Sequence, residues 1–253
     1  MMSINNGQKP FVESIAACDS TNRLMKQYSR SNEVVSGSVF YTDYQTRGRG
    51  YADNAWESEK GKNLLFSVFF LPEHVSANRP FVISEMASLC VKFTLDRYIP
   101  DVTVKWPNDI YYRDKKISGI LIENTMIQDR ITQSVIGIGI NINQTCFRSN
   151  APNPVSLALI TEKTYDCAAV LNEFCEIFAK QSKRLNNRRF DEIHNDYLNV
   201  IYRKDGFYKY SDTNGVFDAA IRSIEPSGDI VLERTDGSIS RYAFKEVMFQ
   251  EGF

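Results

Sequence analysis

The fold is decided by residues 102–143, which read VTVKWPNDIYYRDKKISGILIENTMIQDRITQSVIGIGININ. Val, Ile, Thr and Tyr are dense in this stretch, and polar turns divide it into short runs, which is typical of β-strands. We predict four strands in it, at about 102–106, 110–112, 116–124 and 131–141. Sequential strands joined by short turns pair antiparallel, so this stretch predicts the central part of an antiparallel sheet.

Helices and further strands flank this stretch on both sides. Apolar side chains recur at the helical period in residues 79–99 and 167–186, which predicts two long helices with one apolar face each. Shorter elements are predicted around them: a helix that follows the cap cluster Asp19 to Asn22 and runs to about Ser31, a helix at about 188–201, and strands at about 36–44 and 63–71. Residues 1–203 are therefore expected to form an α+β domain, in which helices pack on a mixed, mostly antiparallel sheet.

The sequence changes character after residue 203. Turn-forming pairs such as Asn214-Gly215, Ser227-Gly228 and Asp236-Gly237 recur about every ten residues between short apolar runs. This spacing is typical of a small all-β barrel. We therefore expect residues 204–253 to form a second, small β-barrel domain.

Composition excludes several classes of protein. The chain has 253 residues with 30 basic and 31 acidic side chains, so its formal net charge is −1. This balance argues against coating of nucleic acid by bulk charge, and no apolar run approaches the roughly 20 residues of a membrane span. The five cysteines and two histidines lack metal-ligand spacing, which disfavours a zinc site and predicts reduced thiols in a cytoplasmic protein.

A polar loop at residues 45–51, QTRGRGY, is the first candidate functional motif. Its glycines let backbone N–H groups approach a ligand, and Arg47 and Arg49 offer forked donors for a carboxylate or phosphate. The alternative is a solvated, flexible loop. Its length and its position between two apolar strands, ahead of Trp56, favour a binding loop.

The strand predicted at 102–106 ends in a second motif, Lys105-Trp106-Pro107-Asn108-Asp109. It could present a cation to a phosphate and a carboxylate to Mg²⁺, or it could simply be a turn with a buried tryptophan.

Two further motifs lie in the strands predicted at 116–124 and 131–141. Strict alternation would place Lys116, Ser118, Ile120 and Ile122 on one face of the strand at 116–124, although two surface lysines at a hairpin tip are the commoner explanation of such a pair. Gly119 and the Gly137-Ile-Gly repeat, which ends at Asn141, leave room for a ligand or for packing.

In combination and in this order, these motifs resemble the catalytic domain of the biotin protein ligase family. The resemblance rests on Ser20-Thr21-Asn22, Gln45 with Gly48-Arg49-Gly50 and Trp56, Lys105 to Asp109, Lys116 to Glu123, and Gly137 to Asn141. Residues 51–55 depart from the family, which usually carries further arginines there. Fewer than twenty residues precede Ser20, so we expect the monofunctional type without an N-terminal DNA-binding domain.

The resemblance implies a class II synthetase-like α+β domain followed by an SH3-like β-barrel. It implies a ligase that uses ATP and Mg²⁺, and no permanently bound cofactor, to form biotinyl-5′-AMP from biotin. The biotinyl group would then pass to a lysine of a biotin carboxyl carrier protein domain of a carboxylase. Neither DNA nor a membrane is an expected partner, and the chain would be a monomer or a weak homodimer.

The resemblance also assigns residues. Lys116 and Arg49 would be catalytic. Biotin would be bound by Ser20, Thr21, Asn22, Gln45, Arg49, Gly50, Tyr51, Lys116 and Gly119. The nucleotide would be bound by Lys105, Asn108, Asp109 and Asn141, with Asp109 also a ligand of Mg²⁺. Two alternatives stay open: a lipoate- or octanoate-protein ligase, and a non-catalytic biotin-binding regulator.

Overall fold

A computed structural model describes residues 9–50, 55–149 and 153–250. Seven strands form the larger sheet: β1 (Val12–Ile15), β2 (Val39–Thr42), β3 (Leu64–Phe70), β4 (Val102–Lys105), β5 (Asp109–Tyr112), β6 (Lys115–Ile127) and β7 (Arg130–Ile140). Their order is β1-β2-β3-β7-β6-β5-β4. Only β1 and β2 pair in parallel, and every other pairing among the described strands of this sheet is antiparallel. The predicted α+β class with a mostly antiparallel sheet is confirmed.

Helices cover both faces of this sheet. They are α1 (Thr21–Ser31), α2 (Phe81–Leu95), α3 (Leu157–Thr161), α4 (Cys167–Asn186) and α5 (Phe190–Asn199). The main core lies between the sheet and α2 with α4, whereas α1 packs on β3 and β7 around a smaller cluster that includes Met25 and Phe69. Because both faces are covered, all seven residues of β3 are buried.

Two elements of residues 1–203, β1 and α3, were not predicted, and one predicted helix is more buried than its pattern indicates. β1 and α3 contain only four and five residues, too few for a hydrophobic period to emerge. The apolar face predicted for α2 packs in the core, but the helix is buried well beyond that face. Most of the helix is buried, including Glu85, because α4 and α5 pack on it in addition to the sheet.

The strict alternation predicted for β6 is wrong. Ile110 pairs with Ser118 and Tyr111 pairs with Lys116, so Ile117 has no partner of its own and forms a β-bulge. The bulge moves the side chain of Lys116 to the other face of the strand. A Cβ atom built on Gly119 would lie 3.3 Å from Cε of Lys116, which shows that these two residues share a face.

The remaining chain forms a second sheet. Its strands are β8 (Tyr208–Asp212), β9 (Gly215–Ile224), β10 (Ile230–Arg234), β11 (Ile239–Tyr242) and β12 (Met248–Phe249), in the order β11-β10-β9-β8-β12. The indole Nε1 of Trp106 donates a 2.8 Å hydrogen bond to the carbonyl of Gly228 and thereby joins the two sheets. Among the described residues, none of the helices is both long enough and apolar enough to cross a membrane.

Candidate active site

A cavity of about 150 Å³ opens where α1, the loop after β2 and strands β5, β6 and β7 meet. Eighteen residues line it: Ser20, Thr21, Asn22, Gln45, Arg49, Gly50, Ala55, Trp56, Asn108, Asp109, Lys116, Gly119, Ile120, Leu121, Gly137, Ile138, Gly139 and Phe244. Most of the residues assigned from the sequence are thus brought to one cavity, although they come from distant parts of the chain.

Hydrogen-bonding side chains form one end of the cavity. Ser20 precedes α1, so the first residues of that helix point into the cavity. The Gln45 side-chain oxygen accepts from the backbone N–H of Thr21 at 2.8 Å, and the Ser67 hydroxyl donates to Oδ1 of Asn22 at 2.6 Å. These bonds fix the amides and hydroxyls in place, so this end can recognise a ligand that carries both donors and acceptors.

A carboxylate behind this end orients Asn22. The Asn22 amide donates to Oε2 of Glu123 at 3.1 Å, and Lys26 pairs with Oε1 of Glu123 at 2.8 Å. Burial acts to raise the pKa of Glu123, but the hydrogen bonds from Lys26 and Asn22 and the charges of Lys26 and Arg49 outweigh it and lower that pKa. Glu123 therefore stays ionised at neutral pH.

Glycines form the floor of the cavity because a side chain there would collide with the site. A Cβ atom on Gly137 would overlap Oδ1 of Asn22, and one on Gly139 would lie 2.5 Å from Cε2 of Trp56. The indole of Trp56 thus lies directly against β7. Its Nε1 is buried against this strand and has no hydrogen-bond partner among the described residues.

A pair of opposite charges stands at the other end. Nζ of Lys116 lies 2.6 Å from Oδ1 of Asp109, and both side chains keep about 30% of their surface exposed (27% and 30%). A partly exposed pair of this kind is worth only about 0–1 kcal/mol. An anionic ligand can therefore compete with Asp109 for the ammonium at little cost.

The arginine loop reaches the cavity through its described part. Arg49 and Gly50 line the wall, and the backbone N–H of Trp56 donates to the carbonyl of Gly48 at 3.0 Å, so the two sides of the loop are held together. Tyr51 lies outside the described residues, and its assignment stays a prediction.

The residues predicted to bind nucleotide divide into two groups. Asn108 and Asp109 line the cavity, and the Asn108 amide donates to the carbonyl of Ile120 at 2.7 Å. Lys105 instead lies beside Tyr111 and the ring of Phe249. Asn141 is buried and donates to the carbonyl of Val155. Neither of these two is among the lining residues.

Phe244 is a lining residue that sequence reasoning missed. It follows β11, in the part of the chain that forms the second sheet. Its ring packs edge-on against Trp106, with centroids 5.8 Å apart. No local pattern marks it, because its place in the cavity depends on how the two sheets meet.

Known proteins resemble this chain in sequence. The sequence profile of the Biotin/lipoate A/B protein ligase family matches residues 14–141. The bifunctional ligase/repressor BirA of Bacillus subtilis is 26% identical over 212 residues, which cover 82% of this chain and 65% of that protein. BirA of Escherichia coli is 39% identical over 128 residues, which cover 49% of this chain and 38% of that protein. The chain thus spans less than two thirds of these relatives.

Solved structures support the same fold. The biotin protein ligase from Aquifex aeolicus in complex with biotin and ATP matches with a TM-score of 0.77 and 24% identity. The match covers 96% of this chain and 99% of that one. The fold of that protein is therefore present here over almost the whole chain, including the second sheet.

Proposed function

This chain belongs to the biotin/lipoate A/B protein ligase family, and from that membership we propose that it is an ATP-dependent biotin protein ligase. One observation carries the choice of biotin: the end of the cavity formed by Ser20, Thr21, Asn22 and Gln45 offers fixed donors and acceptors. A ureido ring can satisfy them. The dithiolane ring of lipoate or the end of an octanoyl chain would offer no partner for the donors and acceptors that these residues do not already share with one another, and each buried group left unpaired costs about 1–3 kcal/mol.

In the first reaction, an oxygen of the biotin carboxylate attacks the α-phosphorus of ATP. The bond to the β-phosphate breaks, pyrophosphate leaves, and biotinyl-5′-AMP forms. Because two anions must meet, a cation is needed between them. The ammonium of Lys116 leaves Asp109, pairs with the carboxylate of biotin and neutralises its charge. We assign a second cationic role to Arg49, which lines the same cavity.

In the second reaction, the amine of a carrier lysine attacks the acyl carbon and AMP leaves. We propose that the carrier is a biotin carboxyl carrier protein domain of a carboxylase. The five cysteines of the chain are free thiols, which suits catalysis in the cytoplasm.

Magnesium belongs to the proposal, and the residues present suit it. Mg²⁺ is commonly bound by one or two carboxylates together with substrate phosphates and water, and Asp109 supplies one carboxylate within the cavity. Among the described residues there is no cluster of three or more potential metal ligands, so phosphate oxygens would complete the coordination. When bound, the ion would screen the phosphate charge.

Exchange of pyrophosphate into ATP tests the assignment. We expect the wild-type chain to catalyse exchange only when biotin and Mg²⁺ are present, and lipoate to compete poorly. Lys116→Ala should lower the exchange rate about 100-fold or more, because it removes the cation that meets the developing charge.

Lys115→Ala is the matched control, since it removes the neighbouring lysine, which is exposed at the start of β6. It should retain the wild-type rate. Exchange at the wild-type rate in Lys116→Ala, or a preference for lipoate, would contradict the proposal. Transfer is then followed by the mass gained on a purified carrier domain.

A further inference from the structure

The segment that follows the arginine loop is tied to a distant part of the chain by one carboxylate. Oε1 of Glu57 accepts a hydrogen bond from the backbone N–H of Arg148, and Oε2 accepts one from that of Ser149, both at 2.8 Å. We name these two bonds the Glu57 tether. They join segment 56–63 to segment 142–149, about ninety residues further along the chain.

Buried amides continue this connection towards the larger sheet. Oε1 of Gln144 accepts from the side chain of Asn63 at 2.6 Å and from the backbone N–H of Glu59 at 2.9 Å. Oδ1 of Asn63 in turn accepts from the backbone N–H of Ile142 at 3.0 Å. Asn63 and Gln144 are both almost fully buried, so this end of segment 56–63 is rigidly held.

The other end of the segment carries Trp56, which touches the floor of the cavity. Its indole lies against Gly139, and Nζ of Lys116 lies 5.8 Å from the indole ring. Glu57 is the next residue, so the direction in which its carboxylate is held also sets the backbone from which the indole projects.

We propose that Glu57 is a positioning residue for the ligase reaction: its tether holds Trp56 in place against the β7 glycines and beside Lys116. The inference rests on the proposed function. Only a carboxylate of this length meets both donors, because an amide would replace one acceptor oxygen by a second N–H group.

The ionisation of Glu57 agrees with this geometry. Burial acts to raise its pKa, but the hydrogen bonds from Ser149 and from the backbone of Arg148 outweigh that effect and lower the pKa. The carboxylate is therefore charged at neutral pH, and both bonds are charge-assisted, which strengthens them.

Glu57→Gln tests the tether, with Glu59→Gln as the matched control. The control makes the same change two residues away, where the bonds recorded for Glu59 are made by its backbone N–H and carbonyl groups. We expect the KM for biotin in pyrophosphate exchange to rise about tenfold in Glu57→Gln, with kcat within about twofold, since uniform binding is lost. Glu59→Gln should keep both constants.

Hydrogen exchange supplies a readout that is independent of catalysis. The backbone amides of Arg148 and Ser149 should exchange faster in Glu57→Gln than in the wild type and the control. Glu57→Asp, which keeps the charge but is one methylene shorter, should give an intermediate KM and is available if the amide variant fails to fold.

The outcomes separate the two proposals. A wild-type chain without biotin-dependent exchange overturns the proposed function and this inference together. An active wild type with an unchanged KM in Glu57→Gln and Glu57→Asp overturns the positioning role of Glu57 alone, even if the two amides exchange faster. A rise in KM in Glu59→Gln of equal size would also overturn it.

Discussion

Two glycines of β7 show how much of the cavity depends on single residues. Gly137 and Gly139 were predicted to leave room for a ligand or for packing. The sequence alone permits this prediction, because it shows directly that these positions carry no side chain. What occupies the room could not be predicted. Asn22 and Trp56 reach these glycines only after α1 and the arginine loop have packed on the sheet, and no spacing along the chain encodes that packing.

Gly139→Ala should therefore damage the site more than Gly119→Ala. The new Cβ at position 139 would lie 2.5 and 2.6 Å from two atoms of the Trp56 indole, whereas at position 119 it would meet Cζ3 of that ring at 2.9 Å and the flexible end of Lys116. We expect the KM for biotin to rise about tenfold or more in Gly139→Ala and less in Gly119→Ala. Titration of both variants in pyrophosphate exchange checks this, and the reverse order would contradict it.

At the scale of elements, the helices illustrate what a periodic pattern can and cannot predict. The bounds of α4 match the prediction because its apolar face repeats over twenty residues. For α2 the pattern identified a helix but not its surroundings. The pattern gave no sign that the charged Glu85 is only 3% exposed, with Nδ1 of His194 from α5 at 2.6 Å from its carboxylate. Such pairing between helices depends on tertiary packing.

His194→Ala should destabilise the contact between α2 and α5. It leaves the buried carboxylate of Glu85 without this partner, and such a loss costs roughly 2–3 kcal/mol. His194→Asn can still offer an N–H near the position of Nδ1, so it should lose less. Urea unfolding of the three proteins measures the difference in free energy, and equal stability of wild type and His194→Ala would contradict the account.

At the scale of the whole molecule, the sequence predicted a domain boundary near residue 203. It did not predict the contact between the larger sheet and the second sheet. That contact lies at the second motif. Trp106 was expected to be either part of a functional motif or a buried turn residue. Its indole donates to the carbonyl of Gly228 and packs on Phe244, which lines the cavity. The second sheet is thus connected to the candidate site through Trp106.

Trp106→Phe should weaken this connection while keeping an aromatic ring. Loss of the bond to Gly228 should lower the free energy of unfolding by about 1 kcal/mol, and the released Phe244 should raise the KM of at least one substrate with little change in kcat. Phe207→Leu, which alters an aromatic side chain that is 54% exposed, is the control. Chemical unfolding and exchange kinetics measure both effects, and a Trp106→Phe protein identical to wild type in both would refute the connection.

The place of Phe244 also has a consequence for synthesis of the protein. The cavity takes its first lining residue at position 20 and its last at position 244, and chains generally emerge from the ribosome with the N-terminal part folding first. The larger sheet can therefore assemble early, but its cavity lacks the ring of Phe244 until that residue has been synthesised. A nascent chain that has not reached residue 244 would carry Lys116 in a cavity without this aromatic side chain.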